Sequence, residues 1–286
     1  MDDVLCEADW RRLEAAHQAR VDRWLAPHLQ RRRAGEKHPV EDFLFSYYSH
    51  RPAALRRWHP GPDRVLAGRS PLAGARGYVE VADGLTLDPG FVADRVRMLR
   101  RTRNLLVATR DRAPSFGCLG LHEWAMVYRQ PSAEVRHADW PLRLGQAGTD
   151  TVVESHRVRC THFDAFRFFS TDARPLNTLQ PAHDDRVDFE QPGCLHATMD
   201  LYKHAFRLSP MVPSELVADC FELARDVRAL DMRASPYDLR DLGYEPVRIE
   251  TAAGKAEYAA AQRGFTERAA PLRRRLIDFC ERLLRS

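Results

Sequence analysis

The stretch E-A-D-W-R-R-L-E-A-A-H-Q-A-R-V-D-R-W-L-A-P-H-L-Q-R-R-R (Glu7–Arg33) decides the fold class. Trp10, Leu13, His17, Val21, Trp24 and Leu25 recur there at three- and four-residue steps, the period of a helix with one apolar stripe. Pro27 bends this helix or opens a second piece. Arg31, Arg32 and Arg33, followed by Gly35, give it a basic end that suits the negative pole of the helix dipole. The same period returns at the other terminus, where Tyr258, Phe265, Leu272, Leu276, Phe279 and Leu283 mark a second long amphipathic helix.

Working inward, Glu41–Ser49 (E-D-F-L-F-S-Y-Y-S) is apolar on nearly every side and reads as a buried helix, with Pro39 near its first turn. The terminal helices are expected to pack around its Asp42–Tyr48 part, burying Phe43, Phe45 and Tyr47. Further helices are expected over Pro89–Arg110, Leu121–Tyr128 and Cys194–Arg207. Another starts at Ser214, a candidate cap, with Leu216, Val217, Cys220, Phe221, Ala224 and Val227 as its stripe. Residues 60–90 differ, being rich in Gly and Pro. Y-V-E-V-A-D-G-L-T-L (Tyr78–Leu87) alternates around Asp83-Gly84, a hairpin signal. Asp150–Phe169 stays open between helix and strand, and Arg174–Gly193 reads as a long loop. The expected fold is mainly α: a single compact domain over residues 1–286 with long amphipathic N- and C-terminal helices and a small β-ribbon.

Composition excludes several classes. No apolar run approaches the roughly 18 residues of a spanning helix. The start, Met1-Asp2-Asp3-Val4, lacks the basic and apolar regions of a signal peptide, so a cytoplasmic location without membrane contact is expected. The six cysteines form no C-x-x-C pair, which argues against a disulfide framework or structural zinc site. Net charge is +4, from 44 basic and 40 acidic residues, modest for a nucleic-acid binder. There is no G-x-G-x-x-G, Walker loop or G-x-S-x-G elbow.

Chemistry concentrates in three segments: G-C-L-G-L-H-E-W-A-M-V-Y-R (Gly117–Arg129), C-T-H-F-D-A-F-R-F-F (Cys160–Phe169) and P-G-C-L-H-A-T-M-D-L-Y-K (Pro192–Lys203). Each sets a Cys and a His beside an acid and apolar residues. Burying such groups is costly unless they are paired, so the mixture points to a polar pocket in an apolar shell. His196, Asp200 and Lys203 fall at i, i+4 and i+7, on one helix face. That face is either solvated, or one on which Asp200 fixes the His196 tautomer or acts as a base. Asp164 and Arg167 can pair across one turn, among phenylalanines expected to be buried. Glu123 lies near the positive end of a short helix beside His122. Trp124 and Tyr128 either pack in the core or stack on a planar ligand. His122, His162 and His196 together would match a catalytic zinc or iron site, although no metal-binding signature links them.

The strings E-K-H-P-V-E-D-F-L-F-S-Y-Y-S (Glu36–Ser49), L-H-E-W-A-M-V-Y-R-Q (Leu121–Gln130), C-L-H-A-T-M-D-L-Y-K (Cys194–Lys203) and S-E-L-V-A-D-C-F-E-L-A (Ser214–Ala224) resemble a bacterial, largely actinobacterial family usually named 3-methyladenine DNA glycosylase. The resemblance extends over almost the whole chain. It implies base excision from double-stranded DNA carrying an alkylated purine, with no cofactor. A helix-hairpin-helix motif is not recognisable: Q-P-G-C (Gln191–Cys194) departs from the L-P-G-x-G pattern. The resemblance therefore carries over no catalytic residue. On chemical grounds a flipped cationic base needs an aromatic pocket and a carboxylate. Asp200 or Asp164, supported by His196, His122 and Glu123, would be the catalytic groups. Trp124, Tyr128, Tyr202 and Lys203 would meet the base, and Arg100 and Arg101 the phosphates. A His-ligated metalloenzyme acting on a small molecule and a non-catalytic binding protein are the alternatives.

Overall fold

The computed structural model describes residues 3–131 and 139–285. In chain order the elements are β1 (Asp3–Leu5), α1 (Glu7–Ala34), α2 (Phe43–Tyr47), α3 (Pro52–Arg56), β2 (Arg64–Leu66), β3 (Tyr78–Val81), β4 (Gly84–Leu87), α4 (Pro89–Ala93), α5 (Val96–Asp111) and α6 (Leu121–Val127). There follow α7 (Gly145–Glu154), α8 (Phe163–Phe166), α9 (Arg186–Phe189), α10 (Leu195–Leu208), α11 (Ser214–Arg233) and α12 (Ala252–Leu283). Helices take 57% of the described residues and the strands form one four-stranded sheet, so the protein is mainly α, with long helices near both ends. No helix of the described residues is long and apolar enough to cross a membrane.

The chain forms two compact units. The first comprises Met1–Leu106, Leu201–Glu222 and Leu272–Ser286, the second Val107–Asp200 and Leu223–Pro271.

In the first unit α1 runs unbroken through Pro27 and stops at Gly35, whose left-handed backbone (φ 72°) sends its N–H back to the Arg31 and Arg32 carbonyls. The expected hairpin is present as β3 and β4, paired antiparallel from Tyr78↔Leu87 to Val81↔Gly84. The sheet is wider than expected: β2 pairs with β4, and β1 pairs in parallel with β2, giving the order β1-β2-β4-β3. Trp10, Trp58, Leu66, Leu72 and Leu85 bury one cluster beside it. The indole of Trp10 donates to the Ala67 carbonyl (2.9 Å) and that of Trp58 to Glu215 Oε1 (2.8 Å), so both polar tips are satisfied.

Around α2 the outcome is mixed. Phe45 is buried, stacked on His28 of α1 (centroids 4.2 Å apart) and tilted against Phe221 of α11 (5.3 Å). Phe43 and Tyr47 are only half-buried and stack on each other at 4.9 Å. Five helical residues give too little length to bury every side. The Ser214 hydroxyl accepts from the His59 N–H (2.8 Å) and donates to the Arg57 carbonyl (3.3 Å), tying the α3–β2 segment to the start of α11.

In the second unit α6 follows a turn at Gly120 (φ 74°), where an added Cβ would lie 3.3 Å from the Tyr258 ring. Trp124 is fully buried and donates its indole N–H to the Ala234 carbonyl (2.8 Å). The open segment Asp150–Phe169 resolves into the end of α7, an extended run through His162, and the single turn α8. Of its phenylalanines Phe169 is buried while Phe163, Phe166 and Phe168 are half-buried. So short a turn cannot face all four inward. The expected loop Arg174–Gly193 contains a 3-10 turn and α9.

Candidate metal centre

Three short segments of the second unit deliver the three histidines to one place. His122 is the second residue of α6, His162 immediately precedes α8, and His196 is the second residue of α10. The His122 and His196 rings meet edge to face with centroids 4.6 Å apart, and His162 stacks on His196 at 5.3 Å. All three are buried.

The carboxylates sort these histidines into two groups. One donor atom each from His122, His196 and Asp231 lies within 4.8 Å of the others, and so does one each from His162, Asp164 and Asp200. In the first group His122 Nε2 lies 2.9 Å from Asp231 Oδ1. Both atoms are buried, and neither makes a hydrogen bond of acceptable angle. In the second, His162 Nδ1 is 3.4 Å from Glu190 Oε1 and its Nε2 is 3.5 Å from Asp200 Oδ2.

Two arginines hold these carboxylates. Arg228 Nη1 donates to Glu123 Oε1 (2.7 Å) and to Asp231 Oδ2 (3.2 Å). Arg186 donates from Nη2 to Asp200 Oδ2 (2.8 Å) and from Nε to Glu190 Oε1 (2.5 Å). Such charge-assisted pairs are what permits the burial of these acids. Asp164 is only half-buried and has Arg167 at 3.4 Å, the one-turn pair expected from the sequence.

A thiol completes the histidine side. Cys118 Sγ is 3.5 Å from His122 Nδ1, and the Cys160 thiol donates to the His162 carbonyl at 3.6 Å. The three segments thus contribute Cys118, Cys160 and Cys194 as well, all reduced. With His122, His196, Tyr258, Gln191 and Gln262 they line a narrow cavity of about 10 Å³, close to what one water molecule needs.

Ionisation follows the geometry. Burial opposes a charge on His122, but Asp231 and then Cys118 beside the ring override it and hold its pKa well above the histidine range. Burial first, and then His122, push His196 well below that range. Cys160 and then His122 beside it hold the Cys118 thiol well below the usual value against the effect of burial. Cys118 and burial raise Cys160, and burial pushes Cys194 up to about 12.

The other residues singled out in the sequence lie elsewhere. Tyr128 is buried in the second unit and donates its hydroxyl to Glu154 Oε1 (2.9 Å). Trp124 has its ring in the core, so neither presents a free face for a planar ligand. Tyr202, Lys203, Arg100 and Arg101 belong to the first unit. There Tyr202 is buried against Tyr48, His50, Phe206 and Phe221, while Lys203 is half-buried with its Nζ 6.0 Å from the Tyr48 ring centre. Arg100 and Arg101 are exposed on α5. Asp231, Arg228, Arg186 and Glu190 complete the cluster and were not singled out. Asp231 had a signal: it continues the buried stripe Cys220, Ala224, Val227 of α11 at a helical step, where an apolar residue is due.

No family model, curated protein or solved structure matches the chain.

Proposed function

We propose that His122, His196 and Asp231 hold a zinc or iron(II) ion and that the protein is a metal-dependent enzyme acting on a small molecule. One observation carries this reading. Two imidazoles and a carboxylate, from α6, α10 and α11, converge within 4.8 Å, with His122 Nε2 and Asp231 Oδ1 facing each other outside hydrogen-bond geometry. Ligands about 2.0–2.2 Å from a tetrahedral ion stand roughly 3–3.5 Å apart. Two histidines and one carboxylate on one side of an ion are the donor set of non-haem iron(II) enzymes and, with zinc, of hydrolases.

The surroundings fit a bound cation. Cys118 at Nδ1 orients the His122 ring, and Arg228 fixes Asp231 through its other oxygen, with Glu123 behind it. The ion would supply a Lewis acid or an activated water in a cavity sized for one such molecule. Excision of an alkylated purine asks for an aromatic slot wide enough for a flipped base. Trp124, Tyr128 and Tyr202 are packed in protein instead.

The test is metal analysis of untagged protein after equilibration with zinc or, anaerobically, with iron(II). We expect about one equivalent of metal, lost in His196→Ala and in Asp231→Asn with the fold retained. Absence of bound metal under both conditions overturns the reading and leaves a buried imidazolium–carboxylate pair. The same preparation is assayed for base release from methylated DNA, and metal-independent release would move the function to base excision.

A further inference from the structure

We infer that His162, Asp164 and Asp200 hold a second divalent ion, of the harder kind typified by manganese(II), beside the first. The two groups are built from the same parts. In each, one arginine bridges an aspartate and a glutamate: Arg228 spans Asp231 and Glu123, and Arg186 spans Asp200 and Glu190. In each, that aspartate faces a buried imidazole Nε2, of His122 in the first group and of His162 in the second.

The spacing in the second group suits ligands better than an ion pair. His162 Nε2 stands 3.5 Å from Asp200 Oδ2. That is longer than the roughly 2.7–2.9 Å of a charge-assisted hydrogen bond. It is close to the roughly 3–3.5 Å that separates two ligands of one ion. Asp164 supplies a third donor, within 4.8 Å of the other two. Glu190 lies at the opposite ring nitrogen, 3.4 Å from Nδ1, where a carboxylate orients a metal-bound histidine from behind.

Charge and access agree with this placement. Asp164, Asp200 and Glu190 bring three carboxylates against the two guanidiniums of Arg186 and Arg167, an excess that a cation offsets. One imidazole with two carboxylates is a harder donor set than two imidazoles with one, which favours manganese(II). Asp164 is half-buried on α8, whereas the cavity beside His122 and His196 is narrow. The second ion is therefore the one that solvent and substrate meet. His162 stacks on His196 at 5.3 Å, which sets the two groups side by side. The pairing of two ions rests on the reading of the first site given above. Paired ions hold the attacking and the leaving oxygen of one displacement.

Metal-free wild type, Asp164→Ala and Asp231→Asn are equilibrated with manganese(II) and, separately, with zinc. Each is then desalted and analysed for bound metal, with circular dichroism as the check on folding. About two equivalents are expected on wild type and about one on either variant. Asp164 is the residue to replace because it lies outside the Arg186 bridge, so its loss leaves the buried ion pairs in place. Asp164→Ala that retains as much of both metals as wild type overturns the second ion. If that metal is lost in Asp231→Asn, the first site still stands. Metal lost in Asp164→Ala but kept in Asp231→Asn upholds the second site and removes the first. No metal on wild type overturns both.

Discussion

Replacing Arg228 by Met tests whether the buried ion cluster is a load on the fold that one guanidinium carries. Arg228 is 1% exposed and spans two carboxylates, at 2.7 Å from Glu123 and 3.2 Å from Asp231. With the guanidinium charge centred about 4 Å from each carboxylate, each attraction is about 4 kcal/mol at an effective dielectric constant near 20. Removing the arginine forfeits both, but it also returns the several kcal/mol spent on desolvating that cation. What remains is the cost of breaking a buried pair while leaving its acids in place, about 3–5 kcal/mol. The assay is urea denaturation of metal-free protein, comparing midpoints at an unchanged slope. Glu123→Gln in the Arg228→Met background removes one of the stranded charges, so the double variant should be more stable than additivity allows, by about 0.5–3 kcal/mol. A single variant within 1 kcal/mol of wild type, or strictly additive effects, would refute the reasoning.

Other expectations follow from burial and backbone geometry. Phe45→Ala should cost about 3–5 kcal/mol, because the ring, 8% exposed, is wedged between His28 and Phe221; a wild-type urea midpoint would contradict its place in the core. Gly120→Ala should cost about 1–2 kcal/mol, since L side chains resist φ 74° and the new Cβ meets the Tyr258 ring; the thermal midpoint reads it, and no shift would count against the turn. Burial, followed by the charges of Arg57 and His17, pushes His59 down from 6.5 to about 4. As pH falls from 6.5 to 4 the unfolded chain takes up a proton that the folded chain refuses, so stability drops by about 3 kcal/mol across that window and is untouched above it. His59→Asn should flatten this acid limb in urea midpoints taken from pH 7 to 4, and an unchanged slope would exclude His59 as its source.

The helices were legible because their signals are long. The stripe from Trp10 to Leu25 repeats over several turns, and α1 closes at Gly35, where the basic run ends. The β3–β4 hairpin was legible from one strong turn. β1 and β2 were not: three residues each is too short for a period, and their pairing joins segments far apart in the chain. The same distinction runs through the site. The Cys/His/acid segments stood out as unlike either surface or core, but spacing alone does not reveal that His196 has both His122 and His162 against its ring. Trp124 and Tyr128 stayed open between core packing and a planar ligand because residue type does not tell a core ring with a satisfied polar tip from an exposed one.

Three side-chain amides explain how loops can place these groups with helix-like precision. Asn177 accepts from the Cys160 N–H (2.6 Å) and donates to the Cys160 carbonyl (3.0 Å), closing on that backbone as a neighbouring strand would. Gln191 Oε1 accepts from Ser115 (2.8 Å) and Gly193 (2.7 Å), while its Nε2 donates to the Ser115 carbonyl (3.2 Å). This joins the segment before Cys118 to the segment before His196. Gln262 Nε2 of α12 then donates to the Gly193 carbonyl at 2.6 Å. A buried backbone without such partners would cost several kcal/mol and would hold no fixed position. Carboxamides suit the task because each offers donors and an acceptor without a charge, so they lock the loops while leaving the field at His122, His196 and Asp231 to the arginines and carboxylates. Buried amides thus fix the loops that lead into the site; Asn177 and Gln191 sit in loop positions that carry no periodic signal, whereas Gln262 falls at a helical step between Tyr258 and Phe265 on the buried stripe of α12.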